Sequence, residues 1–402
     1  MSTMRSQYLW YMAGVTSFVI PLGIQTILFP WLIAVKLQAS AGQLGFAQMS
    51  TQLPALVLIL FGGLLADRVD QRKILIIFHI IAAIPAMGLA LLLYYSLLSY
   101  WVLIAYALAM GTVMAFIQPA RDGMLNRIAG DQLQRTVTIT MGLTFGAQIF
   151  GFVAASFADS HGPVVLLLLQ GGILLFGAII SLKLTPYTPP PQEVGSASKF
   201  SQIKEGIRIV VSSARMAPTF VLMMALSFFY GGSFMVLNPI IVRDVYGGSA
   251  VEISMSFASF MVGTIFATVV LVSRGGIKKQ GLAMMLAMFV GGIFLLVASI
   301  GLPFYGYLTM IFLWGSCGGV MMSMGRTVMQ ESAPVEYRAR VISVFSLANL
   351  GGMPLGALFM GNCATFIGPL NTLIVAVLGI WFVLVGVWYR TNLAQIEPLT
   401  NP

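Results

Sequence analysis

Long apolar runs, broken by short polar or charged segments, repeat along the whole chain. Twelve runs of about 20 residues are read, each long enough as helix to cross roughly 30 Å of hydrocarbon. They fall at 10–36, 45–66, 74–95, 100–120, 137–158, 163–184, 217–242, 252–273, 281–300, 303–325, 341–362 and 368–389. The opening, MSTMRSQYLWYMAGVTSFVIPLGIQTILFPWL, is too long for a signal peptide and lacks its small-residue cleavage site. It is expected to be retained as the first span.

Composition agrees with the pattern. Of 402 residues, 58% are hydrophobic and only 8% are charged. A soluble domain of this size exposes far more charge, so the chain is expected to be multi-pass. With the N-terminus inside, 19 of the 21 lysines and arginines fall on inner segments, leaving Lys36 and Arg243 outside. That asymmetry predicts cytoplasmic termini in a plasma membrane, here a bacterial inner membrane. The net charge of +9 is then matched by anionic headgroups of the bilayer. Because it is spread over seven short segments, no nucleic-acid partner is expected. Cys317 lies inside a span and Cys363 near an outer face, so no disulfide between them is expected.

The one long inner connection, 184–218, contains TPPP, which cannot be helical and reads as a semi-rigid linker. After it, FSQIKEGIRIVV places Phe200, Ile203, Ile207 and Val210 or Val211 at helical spacing, away from Lys204, Glu205 and Arg208. An amphipathic helix on the inner membrane surface is expected, with a plain soluble linker helix as the alternative. The chain therefore divides into an N-terminal six-helix bundle (1–184), a linker (185–216) and a C-terminal six-helix bundle (217–402). The halves also share sequence. ARDGMLNRIAGDQLQRTV (120–137) aligns with GRTVMQESAPVEYRARV (325–341), setting Arg121 on Arg326 and Arg135 on Arg340. Parallel six-span halves with a site between them are the build of a rocking secondary transporter.

The densest charge in the chain lies in GGLLADRVDQRK (62–73), between the second and third spans. It resembles the signature loop of the major facilitator superfamily, G-x-x-x-D-R-x-G-R-R/K. Gly63, Asp67, Arg68, Arg72 and Lys73 match, while Asp70 replaces a Gly and Gln71 an Arg. The PARDGML, RTVTITMG and APVEYRARVISV stretches are similar to the branch containing the enterobactin exporter and related secretion and drug-efflux proteins. The resemblance implies an all-α membrane protein with twelve transmembrane helices in two pseudo-symmetric six-helix bundles, the major facilitator fold. It also implies that Asp67 meets the N-terminal end of span eleven, where helix-end N–H groups favour an anion. Arg68 or Arg72 would reach Asp122. Such contacts form a breakable inner gate of about 1–3 kcal/mol, to which Arg121, Arg326 and Arg340 also belong. Topology anchoring alone is the alternative, but it needs no acids.

Polar side chains in hydrocarbon need a partner or a cavity. Span five carries Thr140, Thr144 and Gln148 on one stripe with Gly151, while Gly142 and Gly146 form a small-xxx-small pair suited to helix packing. Span two carries Gln48 and Gln52, and span seven carries Tyr230, Phe234 and Asn238. Gln25, Trp314 and Asn349 add one group each from spans one, ten and eleven. The resemblance implies that spans one, four, seven and ten line a central cavity, so these residues are the substrate candidates. Each alone serves equally well as interhelical glue.

No Asp, Glu, Lys or Arg lies in the middle third of any span, which points to amphipathic or aromatic cargo held by rings and methionines. The exporter motif G-x-x-x-G-P-x-x-G-G of the family is only partly kept, with Phe152 where Pro falls. Asp122 and His79 are the proton-coupling candidates, a structural histidine being the alternative for His79. The expectation is a secondary-active, proton-coupled exporter (an antiporter), working as a monomer on a small molecule. An importer or facilitator is the alternative. A scaffold, a sensor or an intramembrane enzyme is disfavoured, since the chain has no H-E-x-x-H and no P-loop. No cofactor and no metal are expected.

Overall fold

The structure is a computed structural model and describes residues 2–129, 133–187, 199–274, 277, 279–334 and 337–395. The TPPP run lies outside the described residues. Every regular element described is helical. The first half comprises α1 (Ser2–Trp31, continued by a π-helical turn Leu32–Lys36), α2 (Ala41–Arg68), α3 (Gln71–Tyr94), α4 (Tyr100–Ala129), α5 (Leu133–Ala155), the short α6 (Ala158–His161) and α7 (Pro163–Ser181). Then come α8 (Lys199–Ser212), α9 (Met216–Ala225), a π-helical turn Leu226–Gly231, α10 (Gly232–Tyr246) and α11 (Ala250–Ser273). The chain closes with α12 (Gln280–Ala298), α13 (Phe304–Ser332), α14 (Arg338–Ile367) and α15 (Pro369–Arg390).

Among the described residues ten helices are long and apolar enough to cross a bilayer, with Met216–Tyr246 counting as one. The α2 helix adds an eleventh as a pair bent by 50°. The shorter apolar stretch Ile139–Ala155 of α5 occupies the fifth predicted span. Large side chains such as Phe150, Phe176, Phe266 and Phe382 stand outward. Hydrocarbon is the solvent such a surface needs, and helices satisfy their own backbone within it.

Two helices outrun the apolar runs read for spans four and ten: α4 continues to Ala129 and α13 to Ser332. Past the hydrocarbon edge the intrahelical hydrogen bonds remain the backbone's best partners, so polar residues there extend the helix. Gly142 and Gly146 are not a packing seam, because a Cβ built on either meets nothing within 4 Å. The close approach is made by Gly151, where a Cβ would lie 2.6 Å from the Cα of Gly23. Sequence spacing identified a small-residue stripe on α5 but not which face meets a neighbour.

The chain forms two compact units. The first holds residues 1–38, 50–196 and 248–254; the second holds 39–49, 197–247 and 255–402. In the first, α1 packs along α5 and α7, and α3 along α4 and α7. In the second, α12 packs along α13 and α15, and α14 along α10, α8 and the π-helical turn at 226–231. Corresponding places in the two halves repeat one device. Gly162 and Gly368, both at φ +81°, turn the chain into α7 and α15, and Pro163 and Pro369 open those helices. Glycine tolerates the positive φ, and proline at the first helical position gives up an N–H that has no intrahelical acceptor.

The α8 helix keeps its predicted amphipathic character with one refinement. Gly206 and Val210 are buried, and a Cβ on Gly206 would lie 3.0 Å from Val344 of α14. Ile207 and Val211 stay exposed. One face thus docks on protein while an apolar edge remains open. The side chains of Phe200 and Ile203 lie outside the described residues.

Candidate functional site

Span seven supplies the largest group of candidates in the second unit. Its helix is interrupted by the π-helical turn Leu226–Gly231, a feature common at functional sites. Two glycines beside the turn bring α10 and α14 together: a Cβ on Gly232 would lie 2.8 Å from the backbone N of Ala357. From this seam Tyr230 and Phe234 project into an aromatic cluster. Phe234 lies 4.2 Å from Phe260, 4.5 Å from Phe257 and 5.8 Å from Trp314, centroid to centroid. Tyr230 meets Trp314 edge-on at 5.7 Å, and Phe260 meets it at 5.0 Å. Tyr230, Phe257 and Trp314 are buried, whereas Phe234 and Phe260 are half-exposed.

Polar groups around this wall are largely committed. The Tyr230 hydroxyl donates to Met288 O at 2.9 Å. Asn238 Oδ1 accepts from Tyr307 Oη at 2.9 Å, while its buried Nδ2 has no protein acceptor. Ser227 donates to Asn349 Oδ1 at 2.9 Å, and Gln48 Nε2 donates to Met235 O at 3.3 Å. Sequence reading missed Phe257 and Phe260. Their i, i+3 spacing in FASF was the available signal, but only packing shows that it faces Phe234 and Trp314.

In the first unit the threonine stripe is satisfied locally. Thr140 and Thr144 each donate to the carbonyl four residues earlier at 2.8 Å. Such back-bonding uses up a hydroxyl within its own helix. Gln148 presents its backbone carbonyl to α1, 2.5 Å from a Cβ built on Gly23. Gln25 is buried with an Oε1 that has no protein donor, whereas Gln52 is half-exposed. An unsatisfied buried amide oxygen marks a place where water or a ligand group is needed.

The charged loop of the first unit splits into distinct roles. Asp70 is the N-cap of α3, accepting from Arg72 N at 3.0 Å. An acid in the place of the family's glycine therefore has a local structural reason. Arg72 Nη2 donates to Leu182 O at 2.6 Å, and Arg127 Nη2 to Thr185 O at 3.1 Å. Asp67, Arg68 and Asp122 are exposed, and Gly63 is half-buried. Gly62, the neighbour of Gly63, makes the tight crossing on α4: a Cβ there would lie 3.1 Å from the Cα of Phe116.

Arg121 and His79 share a cavity of about 10 Å³ with Tyr11, Gly14 and Ser181. His79 Nδ1 lies 2.7 Å from Leu75 O, and its Nε2 has no protein partner, nor has Arg121 Nε. That volume matches one water. In the second unit Arg340 pairs with Glu205 of α8 at 2.5 Å, while Arg326 is exposed.

A further group of contacts was announced by no motif. Asp159 on α6 accepts from Ser249 Oγ at 2.6 Å and from Ala250 N at 3.0 Å. Trp31 Nε1 also donates to Ser249 Oγ at 2.8 Å. Glu252 Oε2 accepts from Ser249 N at 2.9 Å, one half of a capping box. In the second unit Arg243 Nη1 donates to Ala39 O at 2.7 Å, and Gly42 N donates to Thr365 Oγ1 at 2.9 Å. A Cβ on Gly45 would lie 3.1 Å from the Cα of Gly361. Apart from Ser249 with Glu252, each pair joins residues at least 90 positions apart in the chain. Arg243, one of two basic residues counted outside, thus has a specific partner.

The sequence profile of the Major Facilitator Superfamily matches residues 12–357. The chain belongs to that family. It is a multi-pass membrane transporter, and the resemblance read from the signature loop stands. Among characterised relatives it is similar to the staphyloferrin A transporter of Staphylococcus aureus (strain NCTC 8325 / PS 47), 25% identical over 373 residues, 89% of this chain and 90% of that protein. It is also similar to the enterobactin exporter EntS of Shigella boydii serotype 18, 23% identical over 94% of this chain and 90% of that one. Among solved structures, a bacterial homolog of the human lysosomal transporter Spinster superposes with TM-score 0.78 at 12% identity, covering 99% of both chains. The nucleoside transporter NupG superposes with TM-score 0.76 at 15% identity over 95% of this chain and 98% of that one. These likenesses establish the major facilitator fold.

Proposed function

We propose that the chain is a secondary-active exporter, moving a small amphipathic or aromatic molecule of the drug or siderophore type across the plasma membrane by alternating access. The observation that carries this reading is the uncharged aromatic wall of Tyr230, Phe234, Phe260 and Trp314, with Phe234 and Phe260 partly open. Ring faces and edges hold flat, amphipathic cargo without a buried ion. The names of two relatives, a staphyloferrin A transporter and an enterobactin exporter, support a siderophore-like substrate. Asn238 Nδ2 of the same unit, buried without a protein partner, is the polar group best suited to orient it. The six-span halves 1–184 and 217–402 would rock about the bound molecule, with both termini cytoplasmic and the monomer as working unit.

Two ends need breakable contacts for such a cycle. The Asp67 loop serves one end in this reading, and Asp159 with Ser249 and Ala250 serves the other. Protons supply the drive, with Asp122 and the Arg121–His79 cavity as candidate carriers. A substrate-panel efflux assay in cells lacking the chain, with and without an uncoupler, tests the whole reading. Selective accumulation of aromatic siderophores or drugs, reproduced in wild-type cells by the uncoupler, is expected. Equal accumulation in both strains across the panel removes the exporter reading. Uptake into right-side-out and inverted vesicles separates export from import.

A further inference from the structure

At the basic end of the second unit lies an open cavity of about 690 Å³ that the transport reading does not use. It is bounded by the end of α8, the first turn of α9 and the end of α15 with the residues after it. Arg215 and Arg390 both line it, with Ser213, Thr391, Asn392 and Gln395, and among the described residues its lining contains no acid. Among the described residues neither arginine is within ion-pair distance of a carboxylate. Two guanidinium groups with hydroxyl and amide neighbours form a natural cradle for a phosphate group. The size falls within the range of small-ligand sites, about 300–1,000 Å³.

The surroundings narrow the source of that phosphate. Val211 lines the cavity and is 64% exposed, with Ile207 open one turn earlier on α8. On α15, directly before Arg390, Trp388 and Tyr389 are 54% and 82% exposed. Exposed Trp and Tyr next to a basic residue is the composition of a membrane–water interface. A soluble anion has no use for that apolar rim, whereas a lipid brings acyl chains to it. We propose that this groove binds the headgroup phosphate of an anionic phospholipid. The lipid would bridge α8 and α15. Since α8 also holds α14 through Glu205 and Arg340, headgroup occupancy would stiffen the link between the linker helix and span eleven.

Native mass spectrometry of the full chain, extracted from vesicles holding equal phosphatidylglycerol and phosphatidylcholine, tests this. Wild type is expected to retain phosphatidylglycerol about tenfold over phosphatidylcholine, consistent with the attraction of two arginines at an anionic interface. Arg215→Gln with Arg390→Gln should bring that ratio close to one. Asn392→Asp, which adds a repelling charge at an exposed position and removes neither arginine, should lower it as well. Arg208→Gln, on α8 but outside the cavity, should leave it unchanged. Equal retention of the two lipids by wild type, or a preference that survives the double substitution, overturns the proposal. So does stabilisation of wild type by inorganic phosphate alone, lost in the double variant, without any lipid preference: that outcome assigns the cradle to a free anion.

Discussion

The carboxylate of Asp159 grips the start of α11 from a different helix, with Oδ1 accepting from Ser249 Oγ at 2.6 Å and Oδ2 from Ala250 N at 3.0 Å. Ala250 N is one of the first-turn amides that have no intrahelical acceptor, so an anion there meets both a free donor and the positive end of the helix dipole. Trp31 completes the arrangement through the same hydroxyl. The bond is charge-assisted but exposed, which makes it strong enough to hold and weak enough to break.

Asp159→Asn removes the charge and keeps the shape. A loss of about 1 kcal/mol is expected after allowing for exposure. Thermal unfolding of the purified protein should register a small decrease. Labelling of a cysteine introduced at the neighbouring Val251, which leaves Ser249 in place, should become faster in the variant. Unchanged labelling would show that the contact does not restrain this end.

The helix crossings at glycine predict a sharp contrast within α5. Gly151→Val drives a side chain into the backbone of α1 near Gly23 and should cost about 1–3 kcal/mol or abolish the folded peak in size-exclusion chromatography. Gly146→Ala meets open space and should be neutral, or stabilising by up to about 1 kcal/mol through helix propensity. Gly356→Val in the second unit should behave like Gly151→Val, because its Cβ would collide with the backbone of Phe228.

In the aromatic wall, ring and hydroxyl separate cleanly. Tyr230→Phe removes only the bond to Met288 O and should cost about 1 kcal/mol of stability with transport retained. Phe260→Ala removes a half-exposed ring and should raise the KM of an aromatic substrate about tenfold, as loss of a ring contact worth roughly 1.4 kcal/mol does. A Phe260→Ala protein with wild-type KM for every exported compound would place the cargo elsewhere.

For the charged loop, Asp67→Asn should leave insertion and yield intact while slowing transport. Asp122→Asn should abolish dependence on a pH gradient yet permit downhill exchange. Initial rates in proteoliposomes, with and without an imposed gradient, measure both. Wild-type rates in folded Asp67→Asn remove the gate role, and unchanged coupling in Asp122→Asn removes the proton role.

Particular residues show how far linear pattern carried. Span positions were legible because a run such as PVVLLLLQGGILLFGAIIS has one solvent in which it is stable, and length then sets its thickness. The charged loop was legible because charges are rare enough here for a cluster to stand out. Asp70 stood out only as a departure from the signature loop; that it caps α3 depends on backbone geometry the loop pattern does not carry. Thr140 and Thr144 looked available at helical spacing, yet their hydroxyls bond their own backbone. Spacing reports which residues share a face and says nothing of how a rotamer is spent.

The membrane environment and the helical spans were determined by the sequence alone, because each follows from local composition and period. Tertiary structure decided the rest: that Gly151 and not Gly146 meets α1, that Phe257 and Phe260 join Trp314, that Asp159 caps α11, and that Arg215 and Arg390 share one cavity. These are contacts between residues far apart in the chain. Their energies depend on distances of a few ångströms that no local pattern encodes.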